Sequence, residues 1–145
     1  MLYNPPTKGD DGRYFVKALN DTKRKCLVQL NNVKVVDISG DMVFDLVSET
    51  NEQKIAEIDT LNLAAAHENC ETWFGKPLSE KMIEGAYTPS VSDGQLTGEC
   101  IEVTRAFNPR QEPVDLEHVQ PGKTCDIIVE FSGIWFAKKS FGSSW

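Results

Sequence analysis

The sequence predicts a mainly β domain with one long helix, and three observations carry that prediction. Short runs of alternating β-branched and aromatic residues recur in the first and last thirds of the chain, separated by Gly, Asn and Pro. One stretch, residues 50–69, changes to helical spacing. The densest β signal is residues 124–145, TCDIIVEFSGIWFAKKSFGSSW, where Ser132-Gly133 interrupts one run and residues 138–142 reverse the next. It reads as a strand, a kink, more strand and a hairpin turn, and the earlier elements must supply its partners.

A chain of 145 residues, 40% hydrophobic and 26% charged, fits one domain with a sizeable core. The opening MLYNPP turns polar at once, and no apolar run approaches the roughly 18 residues that would span a bilayer. The expectation is a soluble, non-secreted protein of a cytosol-like compartment, with no membrane partner. Cys26, Cys70, Cys100 and Cys125 lie far apart without a CxxC pair, which predicts buried free thiols. The net charge of -7 hides a pattern: residues 1–36 carry seven basic and three acidic side chains, 37–104 three and fourteen, and 105–145 five and five. The ends of the chain can therefore form a neutral-to-basic surface, while the acidic middle is a solvated helical face.

In order, residues 1–12 hold Pro5-Pro6 and Gly9 to Gly12 and read as an extended arm. Residues 13–19 alternate as a first strand, and Asn20-Asp21 opens a turn that carries Lys23-Arg24-Lys25. Residues 26–30 and 33–38 are β-rich, with Asn31-Asn32 between them as either a bulge or a tight turn. After Ser39-Gly40-Asp41, residues 42–47 make a further strand. In the helix, Ile55, Ile58, Leu61 or Asn62, and Ala65 share a face, Thr50 and Gln53 fit a capping box, and Ala64 to Ala66 allow close approach to a sheet. Ser79 can cap a short helix closed by Gly85, a polar loop runs through Asp93-Gly94, and residues 99–105 alternate as another strand. Residues 108–119 are loop-like, and Gln120-Pro121-Gly122-Lys123 turns into the final stretch.

Strands, a long helix, then strands ending in a kinked hairpin can close as an OB-fold-like five-stranded Greek-key barrel, with the helix between strands 3 and 4. On that mapping the ligand loops are residues 20–25, with Lys23, Arg24 and Lys25, and residues 107–123, with Arg110 and Lys123. A generic β-rich α+β domain with solvated lysines is the alternative. Catalytic chemistry is absent from the pattern: there is no nucleophile elbow, P-loop or HExxH. His67 and Cys70 offer two ligands where zinc needs three or four. No cofactor, metal or catalytic residue is expected. What remains is aromatic residues interleaved with basic ones, the pattern of single-strand binders, in which bases stack on rings while cations follow the phosphates. The candidate nucleic-acid-binding residues are Tyr14, Phe15, Lys17, Lys23, Arg24, Lys25, Lys34, Arg105, Arg110, Trp135, Lys138, Lys139 and Phe141. Tyr14 or Phe15, Trp135 and Phe141 are expected to face outward.

Residues 69–87, NCETWFGKPLSEKMIEGAY, and 129–145, VEFSGIWFAKKSFGSSW, resemble signatures of proteins of nucleo-cytoplasmic large DNA viruses of the algal-virus type. More distantly they are similar to podophage single-stranded-DNA-binding proteins, in which an OB-fold strand ends in an aromatic-and-glycine hairpin. The resemblance implies a protein that coats single-stranded viral DNA in replication, recombination or repair, in host cytoplasm or nucleus, without cofactor. It also implies a homodimer and contacts with viral replication proteins through an acidic tail. This chain stops at Trp145 without such a tail, in what reads as the start of another strand, and a missing final strand would leave an open sheet edge. The competing reading is a virion structural or assembly protein that uses Trp73-Phe74 and the Trp135 region for protein contacts.

Overall fold

A glycine divides the architecture. The computed structural model describes residues 1–145. Before the helices lie β1 (Leu2–Tyr3), β2 (Thr7–Lys8), β3 (Tyr14–Leu19), β4 (Cys26–Asp37) and β5 (Met42–Asp45). Helices α1 (Glu49–Glu68), α2 (Cys70–Phe74) and α3 (Glu80–Ala86) follow. Then come β6 (Tyr87–Thr88), β7 (Val91–Ser92), β8 (Gln95–Gly98), β9 (Ala106–Phe107), β10 (Pro113–Val114), β11 (Thr124–Phe131), β12 (Gly133–Phe136) and β13 (Phe141–Ser144). A first sheet has the order β1-β3-β12-β13-β6, with β2 also on β3. A second has the order β11-β4-β5-β8-β7, and β9 with β10 forms a separate hairpin. The fold is mainly β, but none of the sheets closes on itself, so the expected Greek-key barrel is absent.

The reason lies between β11 and β12. Here the chain leaves the second sheet and enters the first, so the final stretch is shared between them. Gly133 makes the crossing at φ 152°, and a Cβ there would stand 2.0 Å from the Val16 carbonyl oxygen. Only glycine lets β12 approach β3 this closely. Ser132 secures the corner: its carbonyl accepts from Ala18 N–H at 3.0 Å, and its own N–H donates to the Ser144 carbonyl at 2.9 Å. The expected kink is real, and it is a change of sheet.

Helix α1 joins the two halves. Ile58 and Ala66 pack in a core with Val16, Ala18, Phe131, Ile134 and Phe141 under the first sheet. Ile55 packs under the second with Leu30, Val33, Val35, Phe44, Leu46 and Leu96. Trp145 touches both clusters. Two buried asparagines fix the helix position. Asn51 donates to the carbonyls of Asn31 and Leu46, each at 2.8 Å, and accepts from Asn31 N–H at 3.3 Å. Asn62, fully buried, accepts from the Tyr3 hydroxyl at 2.7 Å and donates to the Tyr87 hydroxyl at 3.1 Å. Tyr87 in turn donates to Asp59, which also accepts from Ser90 Oγ at 2.6 Å. Ser90 meets Ser143, and the Trp145 indole donates to both serines. One polar chain thus ties β1, α1, β6 and β13 with no buried polar side-chain atom left unpaired.

Several local expectations are settled. Asn31-Asn32 is a bulge: both face Asp126 alone, Asn32 is left-handed at φ 56°, and its N–H donates to the Asp126 carboxylate at 2.9 Å. Ser48, not Thr50, caps α1, accepting from Asn51 N–H at 3.2 Å. Asn62 takes the inner helix position and Leu61 is 44% exposed. Residues 99–105 are not a strand. Both apolar residues of their alternation, Ile101 and Val103, are exposed, and Ile101 N–H bonds to Thr104 Oγ1 to form a turn. The strand of this region is β8, paired with β5 and closing a tight hairpin with β7 through Asp93-Gly94, both at positive φ. All four cysteines are free, but only Cys26 and Cys70 are buried; Cys125 is half-buried and Cys100 exposed in its loop. Burial pushes the Cys26 and Cys125 thiols up, away from the reactive thiolate. The last residues do not start an unpaired strand, since β13 lies between β12 and β6.

Two consequences can be measured. Gly133→Ala must displace β12 from β3, and a loss of about 3 kcal/mol or more is expected in urea unfolding; a loss under about 1 kcal/mol would show that the crossing tolerates a side chain. Burial pushes the Tyr3 and Tyr87 phenols well above the usual tyrosine range, with Asp59 adding to the rise at Tyr87. The folded state thus favours the neutral phenols. Their contribution is complete below the ordinary tyrosine pKa of about 10 and declines as pH rises above it. A Tyr3→Phe, Tyr87→Phe chain should be less stable at neutral pH and show a shallower alkaline loss of stability, whereas an unchanged alkaline slope would exclude these phenols as its source.

Candidate nucleic-acid interface

Alternation along β3 and β12 sorts the first sheet into two faces. Val16, Ala18 and Ile134 point into the core. Phe15, Lys17 and Trp135 point the other way, and neither ring belongs to either core cluster. Phe15 and Trp135 stand directly opposite each other in the β3–β12 pairing. Each lies over a glycine of the neighbouring strand. The Phe15 ring covers Gly133, where a built Cβ would come within 2.8 Å of it, and the Trp135 ring covers Gly142 at the same distance. The Trp135 indole N–H donates to the Ser143 carbonyl at 3.2 Å, which fixes its plane. With no side chain beneath, the rings lie down on the sheet. The result is two adjacent half-buried aromatic surfaces beside the exposed Lys17.

Cations stand at both ends of this pair. Beyond Leu19 lies the loop with Lys23, Arg24 and Lys25, all exposed. Asn20 holds its shape: its side-chain oxygen accepts from Thr22 N–H at 2.9 Å, Thr22 Oγ1 at 2.7 Å and Arg24 N–H at 3.0 Å, while Lys23 takes φ 63°. At the opposite end Lys138 and Lys139 form the exposed β12–β13 turn. The two groups are separated by the length of β3, about 20 Å at strand rise.

Other candidates fall elsewhere. Phe141, expected outward, is 1% exposed and packs edge-on against Phe74 and Tyr87, because the turn at residues 137–140 returns it to the core face. Tyr14 is 51% exposed on the inner side, where it lines a cleft of about 790 Å³ with Trp73, Phe74, Met82 and Phe136. Lys76, Lys138 and Lys139 also line this cleft and no acidic residue does. Lys34 is on the second sheet, opposite Asp45 and Thr124. Arg105 folds back on the carbonyls of Glu102 and Thr104 at 2.6 and 2.9 Å, and Arg110 sits in the β9–β10 turn. These three are not brought to the aromatic pair. Trp73 and Phe74 lie on the inner side of the sheet from Trp135, packed against Phe136, so the two aromatic groups do not make one surface.

What the sequence did not reveal is that Gly133 and Gly142 seat the rings, and that Trp73 and Phe74, expected as protein contacts, line an inner cleft with Lys76. The signal for the glycines is present in SGIWF and SFGSSW, where small residues alternate with aromatics. No group of three or more His, Cys, Asp or Glu side chains is placed to hold a metal ion. Cys70 Sγ instead accepts from Leu78 N–H at 3.0 Å, tying α2 to the segment after it. No helix is long and apolar enough to cross a membrane.

No curated protein and no solved structure matches the chain. Residues 31–145, from the β4 bulge through Trp135 and both turn lysines to the end, match the model of a family of unknown function, DUF5871, and the chain belongs to that family.

Proposed function

We propose that this protein binds single-stranded DNA without sequence preference, by stacking bases on Phe15 and Trp135 while Lys17 and the cations at the two ends hold the backbone. The observation that carries this reading is the Phe15–Trp135 pair: two rings in register on an open sheet face, each laid on a glycine. A ring laid on a glycine also stabilises the strand pair beneath it, and its outer surface stays flat, where a base gains a stacking partner worth about 1 to 3 kcal/mol. The net charge of -7 does not oppose the reading, because Lys17, the Lys23-Arg24-Lys25 loop and Lys138-Lys139 gather cations along one sheet. Stacking uses the flat face that every base presents, which fits sequence-tolerant binding. With the viral resemblance, the role is protection of single strands during viral DNA replication, recombination or repair. An OB-like ligand surface is kept in this proposal only as a function, an aromatic sheet face with cationic loops, without the closed barrel.

The test is fluorescence anisotropy of a labelled oligothymidine against the same length of duplex, across a salt series. Binding to the single strand should weaken as salt rises, and Trp135→Ala and Phe15→Ala should each lower affinity about tenfold. Replacing Lys23, Arg24 and Lys25 with Ala should flatten the slope of log affinity against log salt by about 0.7 for each phosphate that the loop no longer neutralises. No binding at low salt, or full affinity in both ring variants, would overturn the proposal.

A further inference from the structure

Strand β11 is the edge of the second sheet: it pairs with β4 on one side and with nothing on the other. Its eight residues, TCDIIVEF, contain no Pro or Lys, and its two charges, Asp126 and Glu130, share the outer face with Ile128 and do not point into the core. The bulge opposite it belongs to β4, so β11 itself runs without an inserted residue. No backbone hydrogen bond reaches its open side from a turn or loop. The core-facing residues Cys125, Ile127 and Val129 are only half-buried, because the sheet stops beside them. On the other face Ile128 is 67% exposed.

We propose that this edge pairs antiparallel with the same edge of a second copy, about a two-fold axis at Ile127, continuing the sheet across both molecules. The sequence is self-complementary in that register. Ile127 meets its own copy, Cys125 meets Val129, Thr124 meets Glu130 and Asp126 meets Ile128, so the half-buried apolar row becomes continuous and no like charges are opposed. A two-fold at Ile128 would set Asp126 against Glu130 twice, which disfavours it. This edge is separate from the aromatic pair, which lies on the other sheet, so pairing here does not depend on DNA binding.

Sedimentation velocity over a range of micromolar concentrations tests it, using changes at the exposed Ile128 that leave the core alone. The wild-type chain should show a concentration-dependent dimer. Ile128→Asp places like charges opposite Asp126 of the second copy at two symmetric positions and should weaken it by about threefold to thirtyfold, whereas Ile128→Lys should tighten it by a comparable factor. A monomer at every concentration would overturn the proposal and leave the edge to a strand of another protein. A dimer unmoved by either change, or weakened by the lysine, would also overturn it.

Discussion

The close approach of β12 to β3 at Gly133 is the constraint on which the rest depends. Without it, β11 and β12 would continue as one strand in one sheet. With it, the chain turns through a position that only a residue lacking Cβ can occupy, and the two halves of one sequence run join different sheets. The same absence of a side chain clears the outer face under Phe15. A single steric requirement therefore divides the fold and prepares a flat aromatic surface.

Two sheets set at a corner need something to hold the angle, and α1 does this with polar as well as apolar contacts. Apolar packing alone is non-directional and would let the helix slide along the sheets. Asn51 fastens its first turns to the β4 bulge and Asn62 fastens its middle to Tyr3 and Tyr87. Buried amides that are fully paired specify one arrangement, because any shift leaves a desolvated donor or acceptor. The arm at β1 and the strand β13 are drawn into the same chain of bonds, so the first sheet, which carries Phe15 and Trp135, is held along several of its strands. A rigid sheet face costs little ordering when a flexible single strand binds it.

Much of this was legible. The alternation in residues 13–19 and 124–136, the helix after residue 50, and the kink at Ser132-Gly133 follow from local chemistry and are present as β3, β11, β12, α1 and the crossing. Closure was not legible, because strand order depends on partners distant in sequence; the barrel inferred from element order gives way to two sheets. Residues 99–105 alternate as well as any strand, yet Ile101 and Val103 stay exposed, and the segment folds as a turn. At the site, Phe15, Lys17 and Trp135 share a face as the strand period requires, while Phe141 faces inward because the number of residues in the 137–140 turn sets its parity. Lys34 and Arg105 carried no signal beyond their charge, which does not say which sheet a residue joins, and the loop that holds Arg110 belongs to a separate hairpin, not to the rim of a barrel.

Photochemical cross-linking of the intact chain to a bromouracil-containing single strand, followed by peptide mapping of the adduct, bears most directly on whether the outer aromatic face is the binding surface. Adducts are expected on β3 and β12, at Phe15 and Trp135, and should disappear when the strand is displaced by salt. Adducts confined to Trp73 or Phe74 in the inner cleft, or to the 99–114 segment, would contradict that assignment.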